Sequence, residues 1–230
     1  MINDLFMPIR RVSAHVRGLM WIAAACGLAY YLSVLQQSMP LPVLYRGCMV
    51  ELAERVILPA NLMLFCMGCA RFGAFERVRR DPRDEFRLNA AWLALVALSI
   101  AVSAWVLFVV ANMLKGSLCE SGQWSLCVVM LLQLFMMNMS VALLVWLLMN
   151  LGIPWGQILP PAIAIPIIAD FCLKLMPGDL TRYAFYFWYP IGDSLVAVLV
   201  RQVAPFIGYC ILLTMANMAA FNCSDRLRLS

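Results

Sequence analysis

From Ser121 to Ala169 the chain carries no Asp, Glu, Lys or Arg, and only the polar turn Asn150-Leu-Gly-Ile-Pro-Trp-Gly-Gln157 interrupts the stretch in its middle. One helix needs about 20 apolar residues to cross a hydrocarbon core of ~30 Å. The run is roughly twice that length and predicts two spans joined by a tight turn. No soluble core could absorb such a segment. The chain as a whole is 64% apolar and 13% charged, with a mean hydropathy of +0.87, whereas soluble domains are about 25% charged.

Further charge-free runs cover residues 18–45, 56–70, 88–114 and 202–224. Counting the long run twice, the expectation is an all-α polytopic membrane protein of one transmembrane domain over residues 1–230. Its six spans are expected at about 18–35, 52–70, 88–112, 125–149, 157–172 and 203–222. The first run is too long for a signal-peptide core and has no small-residue cleavage site, so it reads as a retained span. The run at 56–70 would reach only ~22 Å. Span two is therefore expected to begin earlier, near Val50, with Glu51, Glu54 and Arg55 at the interface or in a wet cavity. Pro160, Pro161 and Pro166 predict a broken or kinked span five. The aromatic run from Tyr183 to Tyr189 predicts an interface belt.

Lys and Arg placement sets the expected orientation. With the N-terminus cytoplasmic, that side carries Arg10, Arg11, Arg17, Arg71, Arg77, Arg79, Arg80, Arg83, Arg87, Arg226 and Arg228. The opposite side carries Arg46, Arg55, Lys115, Lys174, Arg182 and Arg201. The bias favours both termini in the cytoplasm. It also accounts for the net charge of +5 as a topological signal rather than a nucleic-acid-binding one.

Several chemistries find no support. Nothing matches the G-x-x-x-x-G-K-[ST] phosphate loop, so any ATP hydrolysis would belong to another subunit. His15 is the single histidine, which excludes a histidine-rich metal site and argues against a Ser-His-Asp triad. No H-E-x-x-H is present. The chain reads as a non-enzyme with no catalytic residues, no metal and no cofactor of its own. Of nine cysteines, Cys48, Cys119 and Cys127 fall near the expected outer face, where a disulfide could form in an oxidising compartment. Cys66-Met-Gly-Cys69 has redox-motif spacing but lies inside an expected span and reads as packing.

The most charged segment is Arg71-Phe-Gly-Ala-Phe-Glu-Arg-Val-Arg-Arg-Asp-Pro-Arg-Asp-Glu-Phe-Arg87. Phe72, Phe75 and Val78 recur every three residues, which puts them on one face of a short amphipathic helix at the membrane surface. One reading is anchoring to anionic lipid. The sharper one is a partner-docking helix carried by Phe72, Phe75, Glu76, Arg77, Arg79, Arg80 and Arg83, because interleaved acids suit complementary pairing.

Three further ionisable groups are pathway or gate candidates. Asp170 lies near the end of span five, with Lys174 four residues on as a simple helical partner. Arg201 lies in apolar sequence, and a buried arginine there would need a carboxylate or carbonyl partner. Asp193 stands eight residues earlier, about two helical turns. A short helix dipping into the outer leaflet would satisfy both, and the plainer alternative is a loop leading into span six.

In this layout the chain resembles a small permease subunit of the type-2 (type V) ATP-binding-cassette exporters. The resemblance rests on residues 71–87 between spans two and three, on Pro190, Asp193, Ser194 and Arg201 before span six, and on the charged ending Asp225-Arg226. It implies a cytoplasmic coupling helix that docks a separate P-loop ATPase, with ATP and Mg on that partner. It also implies short re-entrant helices before the last span, a second permease copy or sister permease, and a bacterial plasma membrane. Cargo in that family includes peptides, lantibiotics, drugs and other amphipathic molecules. Two rivals from other classes are a proton-coupled secondary transporter using Asp170 and a non-transporting membrane scaffold or immunity protein that binds its partner through the same loop.

Overall fold

The computed structural model describes residues 40–69, 82–114, 123–175, 181–190 and 194–229. All regular structure among them is helical. The first helix, α1, is a continuous rod of three segments, Leu41–Gly47, Cys48–Ile57 and Leu58–Gly68. It is followed by α2 (Pro82–Leu114), α3 (Gln123–Asn150), α4 (Trp155–Lys174) and the single turn α5 (Thr181–Ala184). The last helix, α6, is again continuous, built of Leu195–Val198, Leu199–Val203 and Ala204–Leu229.

The middle segments of α1 and α6 are wound as π-helix, and both end in the same way. The Leu58 N–H bonds back five residues to Ala53 O and is followed by Pro59; the Ala204 N–H bonds back five residues to Leu199 O and is followed by Pro205. A proline ring clashes with the carbonyl four residues before it and offers no N–H. Wider winding upstream turns that carbonyl aside, and the return to ordinary winding falls where there is no donor to misplace. In α4 the helix instead passes through Pro160, Pro161 and Pro166 without a break, so of the expected broken or kinked span the break is not formed.

Turn chemistry joins α3 to α4. Gly152 adopts φ 94°, its N–H bonds to Met149 O at 3.1 Å, and the Ile153 N–H bonds to Leu148 O at 3.2 Å. This is a Schellman ending, which needs a left-handed residue where glycine carries no Cβ penalty. Pro154 then starts α4.

Paired side chains give the helix directions. Along α3, Gln133 meets Tyr45 and Asn138 meets Asn61, so α1 runs parallel to α3. Gln133 meets Gln202, Tyr209 reaches Ser140, and Asn150 meets Asn217, so α6 is parallel as well. Trp105 donates to Cys127 O while Phe86 stacks on Trp146, so α2 is antiparallel. Directions thus alternate between successive long helices. The segment holding α5 returns on the side from which it left.

Helix α3 is the hub, touching every other long helix. Two-thirds (67%) of its most apolar window is buried inside the bundle, against 33% for α2, 17% for α6 and 11% for α4. The large apolar side chains on the outward faces of α2, α4 and α6 are mainly Val, Ile, Leu, Met and Phe, the surface expected of helices against lipid.

Among the described residues, four helices are long and apolar enough to cross a membrane: Arg83–Leu114, Trp124–Asn150, Trp155–Leu173 and Leu195–Cys223. They contain the expected spans three to six. Expected span one, 18–35, lies outside the described residues. Of expected span two, 52–70, residues 52–68 form the later part of α1, which starts at Leu41 and carries Arg46, Glu51, Glu54 and Arg55. Two boundaries are corrected. Helix α2 begins at Pro82 rather than 88, because the charged turn 82–87 stays helical, and α6 begins at Leu195 rather than 203, because the apolar stretch 195–200 runs on helically through Arg201 and Gln202. No separate re-entrant helix is therefore formed by residues 195–203.

Candidate functional site

The densest polar structure in the bundle is a buried knot on three helices. Gln133 of α3 and Gln202 of α6 are fully buried, and Tyr45 of α1 is 1% exposed. The Tyr45 hydroxyl donates to Gln133 Oε1. Gln133 Nε2 donates to Gln202 Oε1 at 2.8 Å and to Tyr189 O at 3.0 Å. Gln202 Nε2 donates to Tyr186 O at 2.7 Å and Tyr189 O at 3.1 Å.

The two acceptor carbonyls come from the segment after α5. There the N–H groups of Trp188 and Tyr189 bond back to Phe185 O at 3.0 and 2.7 Å, curling the chain into a turn. Phe185 and Trp188 point inward with ring centroids 5.4 Å apart, and Trp188 Nε1 approaches Glu54 Oε1 at 3.4 Å. Tyr183 and Tyr186 face outward. The expected aromatic belt is thus divided, with two tyrosines outside and two rings inside.

A primary amide has two donors and an acceptor oxygen. Both glutamines use both donors, and each Oε1 accepts one bond. Reversing either amide would set oxygen against carbonyl oxygen, so their orientations are fixed by the network. Leaving a buried donor unpaired costs about 1–3 kcal/mol. The knot is therefore a clasp that holds α1, α3, α6 and the aromatic turn in register. Its donors are used, and it offers a passing ligand little to bind.

Towards the turn end of the bundle, aromatic packing replaces amides. Phe86, one turn into α2, stacks on Trp146 of α3 at 4.7 Å and lies 5.8 Å from Phe221 of α6. Phe65 of α1 meets Trp146 edge-on at 6.5 Å. Four helices converge on this cluster. Nearby on α2, Glu85 and Asn89 are buried. Asn150 Nδ2 donates to Asn217 Oδ1 at 2.9 Å and closes the same end.

Of the residues singled out from sequence, Arg83, Asp170 and Arg201 are described, and none of them belongs to the knot. Phe72, Phe75, Glu76, Arg77, Arg79, Arg80 and Asp193 lie outside the described residues. Arg83 is exposed in the first turn of α2. Asp170 is half-buried on α4. Arg201 is exposed, and the buried side chain is its neighbour Gln202. A buried arginine, which would have needed a carboxylate or carbonyl partner, is thus not formed: helical rotation by one residue turns the cation outward and the neutral amide inward.

Gln133 and Gln202 were missed because a search for charge-free runs passes over neutral amides. An amide amid uninterrupted apolar residues was the available signal, since burial without a partner is unfavourable. Cys48 and Cys127 are buried, reduced thiols, and Cys119 lies outside the described residues. Among the described residues, no three His, Cys, Asp or Glu side chains gather as a metal site.

Fold and knot together define the class: an all-helical protein with four helices fit to cross a membrane, compatible with a multi-pass membrane protein. Comparison with protein-family models, curated proteins and solved structures finds no match to this chain.

Proposed function

We propose that this chain is the permease subunit of an ATP-driven exporter, with six spans and both termini cytoplasmic in a bacterial plasma membrane. In this reading it docks a separate P-loop ATPase, which holds ATP and Mg, through residues 71–87. It pairs with a second copy or a sister permease, and its cargo is an amphipathic molecule such as a peptide, lantibiotic or drug.

The observation that carries the proposal is the continuity of α2. The helix runs unbroken from Pro82 through Leu114, about 50 Å at 1.5 Å per residue. Its exposed Arg83, Asp84 and Arg87 continue the charged loop, while Phe86 between them is stacked on Trp146 and packs at a tilt against Phe221. A push on the loop would reach α3 and α6 through one rigid element. Rigid helices with bistable contacts at their ends are the usual carriers of such transitions.

The test is purification from native membranes in mild detergent with mass spectrometry of the associated chains. Stoichiometric recovery of a P-loop ATPase supports the permease reading. Recovery of the chain alone, or with a different membrane partner and no ATPase, overturns it and favours a scaffold or immunity role.

A further inference from the structure

Between the amide knot and the aromatic cluster, Asn61 of α1 faces Asn138 of α3. Asn61 is 1% exposed and Asn138 fully buried. Asn61 Nδ2 donates to the Asn138 backbone oxygen at 3.1 Å, which brings the two residues together. The remaining atoms, Asn61 Oδ1 and Asn138 Nδ2 and Oδ1, have no hydrogen-bond partner. Leu58, Leu62, Leu134 and Met137, in the adjoining turns of the same two helices, are fully buried and offer no side-chain donor or acceptor nitrogen or oxygen.

We infer that the Asn61–Asn138 pair is a binding site for a single internal water held between α1 and α3. The inference does not depend on the permease reading. Buried waters make about three hydrogen bonds to polar groups that would otherwise go unsatisfied. Water can donate to the two Oδ1 atoms and accept one N–H of Asn138 Nδ2, which would give each of the three unpartnered atoms a bond. A metal cation matches less well. The pair brings no carboxylate, and one of its three unpartnered atoms is an N–H donor, which repels positive charge. Trp92 Nε1 and Asn112 Oδ1 are also without partners, but each is a single atom and cannot hold a water by itself.

The sign of one substitution separates a hydrated site from a dry one. In Asn138→Leu a hydrated site loses its water and leaves Asn61 Oδ1 buried alone, so the melting temperature of the full chain in mild detergent falls, by about 2–6 °C. The double variant Asn61→Leu/Asn138→Leu recovers most of that loss, because no polar side-chain atom remains. A rise in the single variant overturns the inference, since a dry site gains when unpaired atoms are removed.

A second readout covers a single variant that does not fold. In protein labelled with ¹⁵N-asparagine, magnetisation transfer from water to the Asn138 side-chain amide is expected, and its absence overturns the site. Replacing Na⁺ by K⁺ or choline is expected to leave the melting temperature unchanged. A rise specific to Na⁺ would overturn water in favour of a cation.

Discussion

Gln133 and Gln202 share one hydrogen bond of 2.8 Å, and both donate to the carbonyl of Tyr189, so two amides from different helices close on one backbone oxygen. Seven residues further along each helix, Ser140 and Tyr209 are paired again. Two contacts seven residues apart on both helices mark near-parallel packing of the coiled-coil kind.

The knot predicts strong coupling. Gln133→Leu strands the Gln202 oxygen and removes the acceptor of the Tyr45 hydroxyl, at an expected cost of about 2–4 kcal/mol. The double variant Gln133→Leu/Gln202→Leu should cost less than the sum of its parts, by about 0.5–3 kcal/mol. Thermal unfolding in one detergent measures all three, and strict additivity would show that the knot does not act as a unit.

Gly68 ends α1 against the indole of Trp92. A Cβ there would fall 2.3 Å from Trp92 Nε1. Gly68→Ala is therefore expected to destabilise by about 1–3 kcal/mol through overpacking. The penalty should shrink in a Trp92→Leu background, where the indole is gone; an equal penalty in both backgrounds would place its origin elsewhere.

Phe86→Ala removes the stack on Trp146 and the contact with Phe221. The expected loss is about 2 kcal/mol, from reduced apolar burial and lost ring contact. Hydrogen exchange should quicken first in the opening turns of α2, with the knot end little changed.

Alternating helix directions make a topological prediction. Single cysteines at Leu114 and Leu175, in a cysteine-depleted background, should react with a membrane-impermeant thiol reagent from one side, and a cysteine at Leu151 from the other. Labelling of all three from the same side would contradict the antiparallel course of α2 and α3.

Under the permease proposal, reversing Arg77, Arg79 and Arg80 to glutamate should abolish ATPase co-purification while the helical circular dichroism and melting temperature stay unchanged. Full retention of the ATPase would remove the docking role from residues 71–87.

Legibility in the sequence followed the size of the physical signal. The apolar run divided by Gly152-Ile-Pro154 marked two helices and their turn correctly, because glycine and proline at a helix ending constrain the backbone locally. The extra turns of α2 were hidden because a charged turn outside the apolar run remains free to be helical, and those of α6 because Arg201 alone divides the apolar stretch 195–200 from the run that follows. The same applies to Arg201 and Gln202: adjacent residues point some 100° apart on a helix, and sequence alone does not say which faces the core.

By itself the sequence determined the all-helical class, the positions of four helices fit to cross a membrane, and the turn between α3 and α4. These follow from local hydropathy and backbone restriction, which need no knowledge of neighbours. Only the tertiary structure decided that α3 is the hub, that Tyr45, Gln133 and Gln202 form one knot, and that Phe86, Trp146 and Phe221 close the other end. Those residues lie tens of positions apart along the chain. They meet because buried amides must find partners and aromatic faces must be covered, and packing alone brings those partners within reach.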